Sequence, residues 1–445
     1  MRVLVFHGYM LRGTGSNIYN LNLARALARQ GHEVHLLCQD REVRPEGVQV
    51  YNPEIGDLLP VYVKDPYPGF EVKAFPELSA DELDRYIDAN VAAVRAVAEE
   101  AGGIDLALAN HLVMGPAILA RAGVAPFAAK IHGSALEYTV KPHPRFLPYA
   151  DEGMRAASGV LVGSRHTAES LWAALAAVEG LQGKTRLGPP GVDTEAFSPG
   201  PEREELVVFV GKLIVSKGVD LLLAAWPLIR AEHPGARLRV AGFGEYEDGL
   251  RRLQAALERG DLDDAREVAR LGWALEGGVE RPLSILSAFL ADPPGGYGEV
   301  ARASAGSVEF IGRLEHDRVA ELVPRAQALV MPSTFPEAFG MVAAEAAAAG
   351  ALPVSAGHSG MLEVSRQLSA TLPDDVAGLT SFPVEPGAVE AIADRLNRWL
   401  ALPSEERARA REVLVETVAR LWSWDAVADG VLAAAAGSLN ELPLP

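Results

Sequence analysis

The feature that most constrains the fold of this 445-residue chain is an alternation of short apolar runs with longer segments of helical period, which stops at a Pro/Gly-rich stretch and then begins again. Val3 to His7 is apolar, Ile18 to Gln30 carries apolar residues at helical spacing and is closed by Gly31, and Val34 to Cys38 is apolar again. The pattern continues with helix 80–101, strand 104–109, helix 115–122, strand 126–131, strand 159–163 and helix 167–178. Short apolar runs joined by helical segments specify parallel strands with crossover helices, so the fold class is α/β, doubly wound. Gly188-Pro189-Pro190-Gly191 to Pro199-Gly200-Pro201 interrupts the pattern as a linker. The alternation then restarts with strand 206–210, loop 211–218, helix 219–232 and strand 237–241, resuming later at 307–311, 328–331 and 352–355. Two Rossmann-like domains follow, residues 1–195 and 196–424, with a C-terminal helix over 425–445.

Two segments break the rhythm. Tyr51 to Pro76 is rich in Pro, Tyr and Gly (Pro60, Pro66, Tyr67, Pro68, Gly69, Phe70), too long for a plain connection in a compact domain. Residues 247–307 are charged and then Gly/Pro-rich, and read as an inserted helical pair with a flexible tail. Hydrophobic content of 49% supports substantial cores, and a net charge of −18 disfavours broad nucleic-acid binding or docking on anionic lipid. Cys38 is the only cysteine, so no intramolecular disulfide or cysteine metal cage can form. No apolar run approaches ~18 residues, and the N-terminus reads as a strand rather than a signal peptide, so a cytoplasmic protein without a transmembrane segment is expected.

Function concentrates at the ends of the apolar runs. Ala328 to Ser333 reads as a strand running into a loop, and after it stands Pro336-Glu337-Ala338-Phe339-Gly340-Met341-Val342-Ala343-Ala344-Glu345. Glu337 is thereby placed on the strand-to-helix loop and Glu345 about two turns into the helix, roughly 12 Å apart along the axis and on nearly the same face. That suits the two ends of one extended ligand, with a helix N-terminus between them for an anion, as in a nucleotide sugar. The separation exceeds that of a glycosidase acid/base pair, roughly 5–10 Å. Gly211-Lys212 and Lys217-Gly218 lie on a loop after a strand, where two lysines suit a diphosphate leaving group, or are simply a solvated pair. Gly13-Thr14-Gly15-Ser16 precedes the first helix as a phosphate or hydroxyl cradle, or as a plain tight turn. His132, in Lys130-Ile131-His132-Gly133, stands where a parallel sheet presents its loops, with His7 a weaker candidate. Glu363 reads more as a helix-start carboxylate than a ligand contact, and Asp261-Leu262-Asp263 as a solvated face rather than a metal motif.

Together these segments resemble the retaining glycosyltransferases of family 4, which have the GT-B fold, over nearly the whole chain. The resemblance rests on Gly13 to Ser16, Ile131-His132-Gly133, Gly191-Val192-Asp193 with Phe197 and Pro199, Gly211-Lys212 with Lys217-Gly218, the EX7E run Glu337 to Glu345, and Trp422-Ser423-Trp424. It implies two domains facing a deep cleft, with a nucleoside diphosphate sugar bound by the second. Lys212 and Lys217 would hold the diphosphate, with lysine at 212 where arginine is commoner. Glu337 would hold donor-sugar hydroxyls, Glu345 the ribose, and the backbone of Phe339, Gly340 and Met341 the sugar and phosphate. Arg313 and Leu314 would meet the base. Gly211 belongs to the donor site, as does Gly15, while Gly13, Thr14 and Ser16 fall on the acceptor side. His132, Lys212, Lys217 and Glu337 would carry the chemistry. The resemblance implies retention by front-face attack, no metal and no cofactor besides the donor, a UDP-sugar over a GDP-sugar, a hydroxyl-bearing acceptor, and a last helix crossing back to the first domain. Other readings of the same residues are a nucleotide-sugar epimerase or hydrolase, and a non-catalytic nucleotide-sugar binding protein. Oligomeric state stays open.

Overall fold

The computed structural model describes residues 1–64, 67, 69–200 and 205–445. Pro66, Pro68 and Pro201, read above as part of a loop and a linker, lie outside the described residues. The chain forms two compact units: Met1–Gly191 together with Trp422–Pro445, and Val192–Leu421. The break therefore falls after Gly191 rather than after residue 195, and the returning segment starts at Trp422 rather than 425. The reason is local: a side chain at Gly191 would place Cβ 2.6 Å from Cδ2 of Trp424, so this glycine is built into the first unit.

In the first unit the strands are β1 (Arg2–Phe6), β2 (Glu33–Leu37), β3 (Val48–Tyr51), β4 (Leu58–Val61), β5 (Glu71–Ala74), β6 (Leu106–Asn110), β7 (Phe127–Ile131), β8 (Gly159–Val162) and β9 (Thr185–Leu187). Seven of them form one parallel sheet in the order β3-β2-β1-β6-β7-β8-β9. β4 and β5 pair separately, so the Pro/Tyr-rich segment, read as a loop, contains a small parallel sheet of its own. The main sheet is covered on both faces, which is why its strands read as nearly continuous apolar runs. Alternate residues of β1 point to opposite sides: Leu4 and Phe6 join one buried cluster, Val3 and Val5 another.

The second cluster is closed by the end of the chain. Helix Trp424–Ala436, capped by Ser423 Oγ accepting from Ala426 N at 3.2 Å, contributes Trp424, Ala428 and Val431. The Trp424 ring meets Tyr19 edge-on with centroids 5.6 Å apart.

In the second unit β10 (Leu206–Val210), β11 (Arg237–Ala241), β12 (Val308–Gly312), β13 (Ala328–Met331), β14 (Leu352–Ala356) and β15 (Ser381–Phe382) form a parallel sheet ordered β12-β11-β10-β13-β14-β15. Between β11 and β12 stand helices Glu247–Arg259, Leu262–Leu271, Ser284–Ala291 and Tyr297–Ala303. The last two occupy the part expected to be a flexible tail. Leu286, Phe289, Leu290 and Tyr297 are buried there, and the Tyr297 hydroxyl donates to Ala224 O at 2.6 Å, so buried apolar side chains order a segment whose Gly and Pro content suggests otherwise. Among the described residues no helix is long and apolar enough to cross a membrane.

Because Trp424 plugs the core beneath one face of the first sheet, Trp424→Ala is expected to cost about 3–5 kcal/mol. In scanning calorimetry the loss should fall on the transition of the first unit and leave that of Val192–Leu421 in place.

Candidate functional site

In the second unit β10, β13 and β14 are neighbours, so the loops at their C-terminal ends lie side by side, the edge at which open parallel sheets bind ligands. After β10 the loop 211–218 is held by backbone bonds, Gly211 N to Ala241 O at 3.0 Å and Leu213 N to Phe243 O at 2.8 Å. It ends in one 3-10 turn, Val215–Lys217, closed by Gly218 at φ 65°. A Cβ on Gly218 would lie 2.0 Å from Pro332 O, so the lysine loop and the loop after β13 touch backbone to backbone, and Thr334 N donates to Ser216 O at 2.9 Å.

That contact brings the sequence-predicted residues together. Lys217 Nζ donates to Glu337 Oε1, and Ser333 Oγ donates to the same oxygen at 3.0 Å. Glu337 is anchored through its backbone: its N donates to Ser359 Oγ at 3.0 Å, and its carbonyl accepts from Gly360 N at 2.9 Å. His358 Nε2 lies 2.8 Å from Ser333 O, so this nitrogen carries a proton. Nδ1, 3.1 Å from Ser359 Oγ, then accepts from that hydroxyl. Ser359 itself has φ 52°, uncommon for a residue with a side chain. The sequence reading passed over Ser333, and in the run Gly357 to Glu363 it singled out Glu363 rather than His358 or Ser359. Glu363 lies inside helix Ser359–Ser369, partly buried.

Glu337 lies on the strand-to-helix loop, as expected, but Glu345 lies little more than one turn into the helix rather than two. The helix is Met341–Ala348, begun by Gly340 at φ 101°, a conformation that stops it from extending back to Glu337. Glu337 sits on the loop and Glu345 is the fifth helical residue, so the axial separation expected from ideal geometry does not apply. Glu345 is buried, and its Oε1 lies 2.9 Å from His316 Nε2, a partner that sequence reasoning missed. The His316 ring packs on Phe197 with centroids 5.1 Å apart. Burial pushes the His316 pKa down, but the bond to Glu345 and the charges of Glu345, Asp193 and Asp317 outweigh it, and the net shift is upward. The clue was the position of His316 just beyond a strand end, in the run Gly312-Arg313-Leu314-Glu315-His316.

Arg313 is exposed, pairs with Glu315 at 3.0 Å and stacks over Phe243 at 4.8 Å; Leu314 is partly buried. Lys212 lies at the start of the lysine loop, partly exposed, and Phe339 is buried directly before Gly340. Asp261 Oδ1 accepts from Asp264 N at 3.1 Å, capping helix Leu262–Leu271, and Asp263 pairs with Arg266 at 2.8 Å. Among the described residues no group of three or more His, Cys, Asp or Glu is placed to hold a metal ion.

The first unit has its own polar centre at the ends of β1, β6 and β7. His132 Nε2 lies 2.7 Å from Asn110 Oδ1, Asn110 Nδ2 donates to Asn20 Oδ1 at 2.7 Å, and Asn20 Nδ2 lies 3.0 Å from His7 Nδ1. His7 Nε2 meets two acceptors, Asn17 Oδ1 at 2.9 Å and Met10 O at 3.0 Å, so it carries the proton. The chain of bonds then has one consistent polarity, with His132 a donor at Nε2. Burial, then the nearness of His111, Lys130 and His7, pushes the His132 pKa well down, and burial lowers that of His7 to about 4. His132 is thus neutral near pH 7. Asn17, Asn20 and Asn110, all buried, were not found by sequence reading. Gly13, at φ 93°, and Thr14 lead into helix Gly15–Arg29, Thr14 at its N-cap, with Ser16 in the first turn and Gly15 exposed.

Residues 193–261 and 302–413 match the family model for glycosyl transferases group 1, and residues 13–196 that for Glycosyltransferase Family 4. The chain is 32% identical over 178 residues to the glycogen synthase of Mycobacterium tuberculosis, a match covering 39% of this chain but only 32% of that protein. It is 26% identical over 445 residues to the D-inositol 3-phosphate glycosyltransferase of Actinosynnema mirum, covering 94% of this chain and 91% of the relative. Among solved structures, Anabaena HepE in complex with UDP and glucose superposes with a TM-score of 0.59 at 16% identity, over 99% of this chain and all of that one (100%).

The raised His316 pKa has a sign that can be tested. Relative to the unfolded chain, the pair with Glu345 adds stability that is fully present below about pH 6.5, the unfolded value, and is lost as pH rises through the higher folded value. Urea unfolding from pH 5.5 to 8.5 should show the second unit losing stability over that rise, and His316→Gln should flatten the profile.

Proposed function

We propose, from the premise that the chain belongs to the family 4 glycosyltransferases with the GT-B fold, that it moves a hexose from a nucleoside diphosphate sugar to a hydroxyl acceptor with retention of anomeric configuration. The observation that carries this reading is the junction at the edge of the second sheet, where Lys217, Glu337 and Ser333 converge beside the N-terminus of helix Met341–Ala348. Lys217, with Lys212 on the same loop, neutralises the charge that grows on the departing diphosphate. Glu337 holds donor-sugar hydroxyls. Glu345, kept in place by His316, takes the ribose, and Arg313 and Leu314 meet the base. The bond from the anomeric carbon to the diphosphate oxygen breaks while the acceptor oxygen bonds on the same face, and the acceptor's proton passes to the leaving diphosphate. This route asks for no protein nucleophile, no metal and no further cofactor.

A UDP-sugar is the favoured donor, a choice supported by the UDP bound to the structural neighbour HepE. The neutral His132 of the first unit acts on the reacting sugar as a hydrogen-bonding group rather than as a cation. The acceptor is a hydroxyl compound recognised by the first unit through Gly13, Thr14 and Ser16, and the cytoplasm is the proposed site of action.

The direct test is thermal unfolding with UDP, GDP and ADP supplied separately. A nucleotide at about a hundred times its dissociation constant adds ~2.7 kcal/mol of stability, and one of the three should do so. No shift with any of them would sink the donor assignment. Lys217→Ala removes a charge-assisted contact of about 1.5–3 kcal/mol, so donor affinity should fall roughly 10- to 100-fold. Glu345→Ala should weaken binding as well. His132→Ala should leave nucleotide binding intact and lower turnover, and equal losses in both would contradict its assigned part.

A further inference from the structure

The family models match the second unit up to residue 261 and again from 302, so residues 262–301 fall outside them. This additional segment nevertheless reaches the lysine loop. Its 3-10 turn Trp273–Glu276 is closed by Gly277 at φ 83° and tied down by Trp273 N donating to Arg281 O at 3.1 Å, with the Arg281 guanidinium over the Trp273 ring at 4.0 Å. From that braced turn Glu276 Oε2 accepts from Val215 N at 2.6 Å.

The backbone donors of the loop show what this bond does. Gly211 and Leu213 donate to carbonyls at or just beyond the end of β11, and Lys217 and Gly218 to carbonyls within the loop. Val215 is buried, and its N–H meets a side chain instead. A buried N–H must find an acceptor, and here a carboxylate from the inserted segment provides it. Val215 opens the single turn that ends at Lys217. The bond therefore fixes the start of the turn whose last residue aims its ammonium at Glu337.

We propose that Glu276 is a positioning residue for the donor site: the inserted segment sets the lysine turn through the Glu276–Val215 bond and thereby raises affinity for the nucleoside diphosphate. This rests on the assignment of Lys217 to the diphosphate. Glu276 acts through Val215 and Lys217 and does not itself touch the donor.

The test uses the full chain and isothermal titration with UDP, GDP and ADP in parallel, taking the tightest binder of the wild type across all variants. Glu276→Ala should weaken that binder about tenfold. Glu276→Gln keeps an acceptor oxygen at the same reach and should restore most of the affinity. Glu276→Asp keeps the charge but withdraws the carboxylate by one methylene; it should fall between wild type and Ala, and gives a readable variant even if Glu276→Ala fails to fold. Thermal unfolding of each variant separates lost affinity from lost fold. Wild-type affinity in both the Ala and Asp variants, with Lys217→Ala weakened as expected, would overturn the role of Glu276 alone. A Gln variant as weak as Ala would also overturn it. Full affinity in Lys217→Ala would overturn the reading of the loop, and this proposal with it.

Discussion

The close approach of two backbones at Gly218 and Pro332 is the constraint on which the candidate site depends. A side chain at 218 would overlap the carbonyl of 332, so only glycine lets the loop after β10 lie against the loop after β13. Once they touch, Thr334 binds Ser216, and Lys217 reaches Glu337 across 120 residues of sequence. The Lys-Gly pair is thus one device with two parts: a cation proposed to meet the donor, and a packing contact that places the cation. Gly360 has a comparable function one strand further along, where a Cβ would lie 2.5 Å from Ala338 and push away the segment that carries Glu337.

Around this junction the charged groups are held by neighbours that leave little freedom. Glu337 is bonded through its carboxylate to Lys217 and Ser333, and through its backbone to Ser359 and Gly360. Glu345 is held by His316, and His316 by Phe197 and the surrounding carboxylates. In the first unit the same principle appears with neutral groups, where three asparagines and two histidines pass hydrogen bonds in one direction and so settle which nitrogen of His132 bears the proton. Electrostatic preorganisation of this kind costs nothing at the moment of reaction, because the dipoles are already aimed.

Much of the framework was legible beforehand. Helices Gly115–Ala122 and Val219–Glu232 and strands Arg237–Ala241 and Ala328–Met331 stand where periodicity put them, since long apolar runs and helical spacing are local signals. The short strands β4 and β5 were missed because four residues carry too little pattern to separate strand from loop. The start of the helix at Met341 was missed because the deciding fact is a backbone angle at Gly340, which composition does not display. The helices Ser284–Ala291 and Tyr297–Ala303 were missed because the run Pro293-Pro294-Gly295-Gly296 between them suggests a flexible tail, although Ser284–Ala291 itself is strongly apolar.

The sequence by itself determined the two βα alternations and marked Lys217, Glu337, Glu345 and His132 as candidate site residues. Those are properties of residue type and spacing, readable along a line. Tertiary structure alone decided the pairings: His316 with Glu345, Ser359 beneath Glu337, Asn110 behind His132, and Glu276 on the lysine turn. Each joins residues more than twenty positions apart, brought together by parallel strands that set their C-terminal loops side by side. Because that adjacency follows from strand order in space rather than order in the chain, no local pattern can announce it.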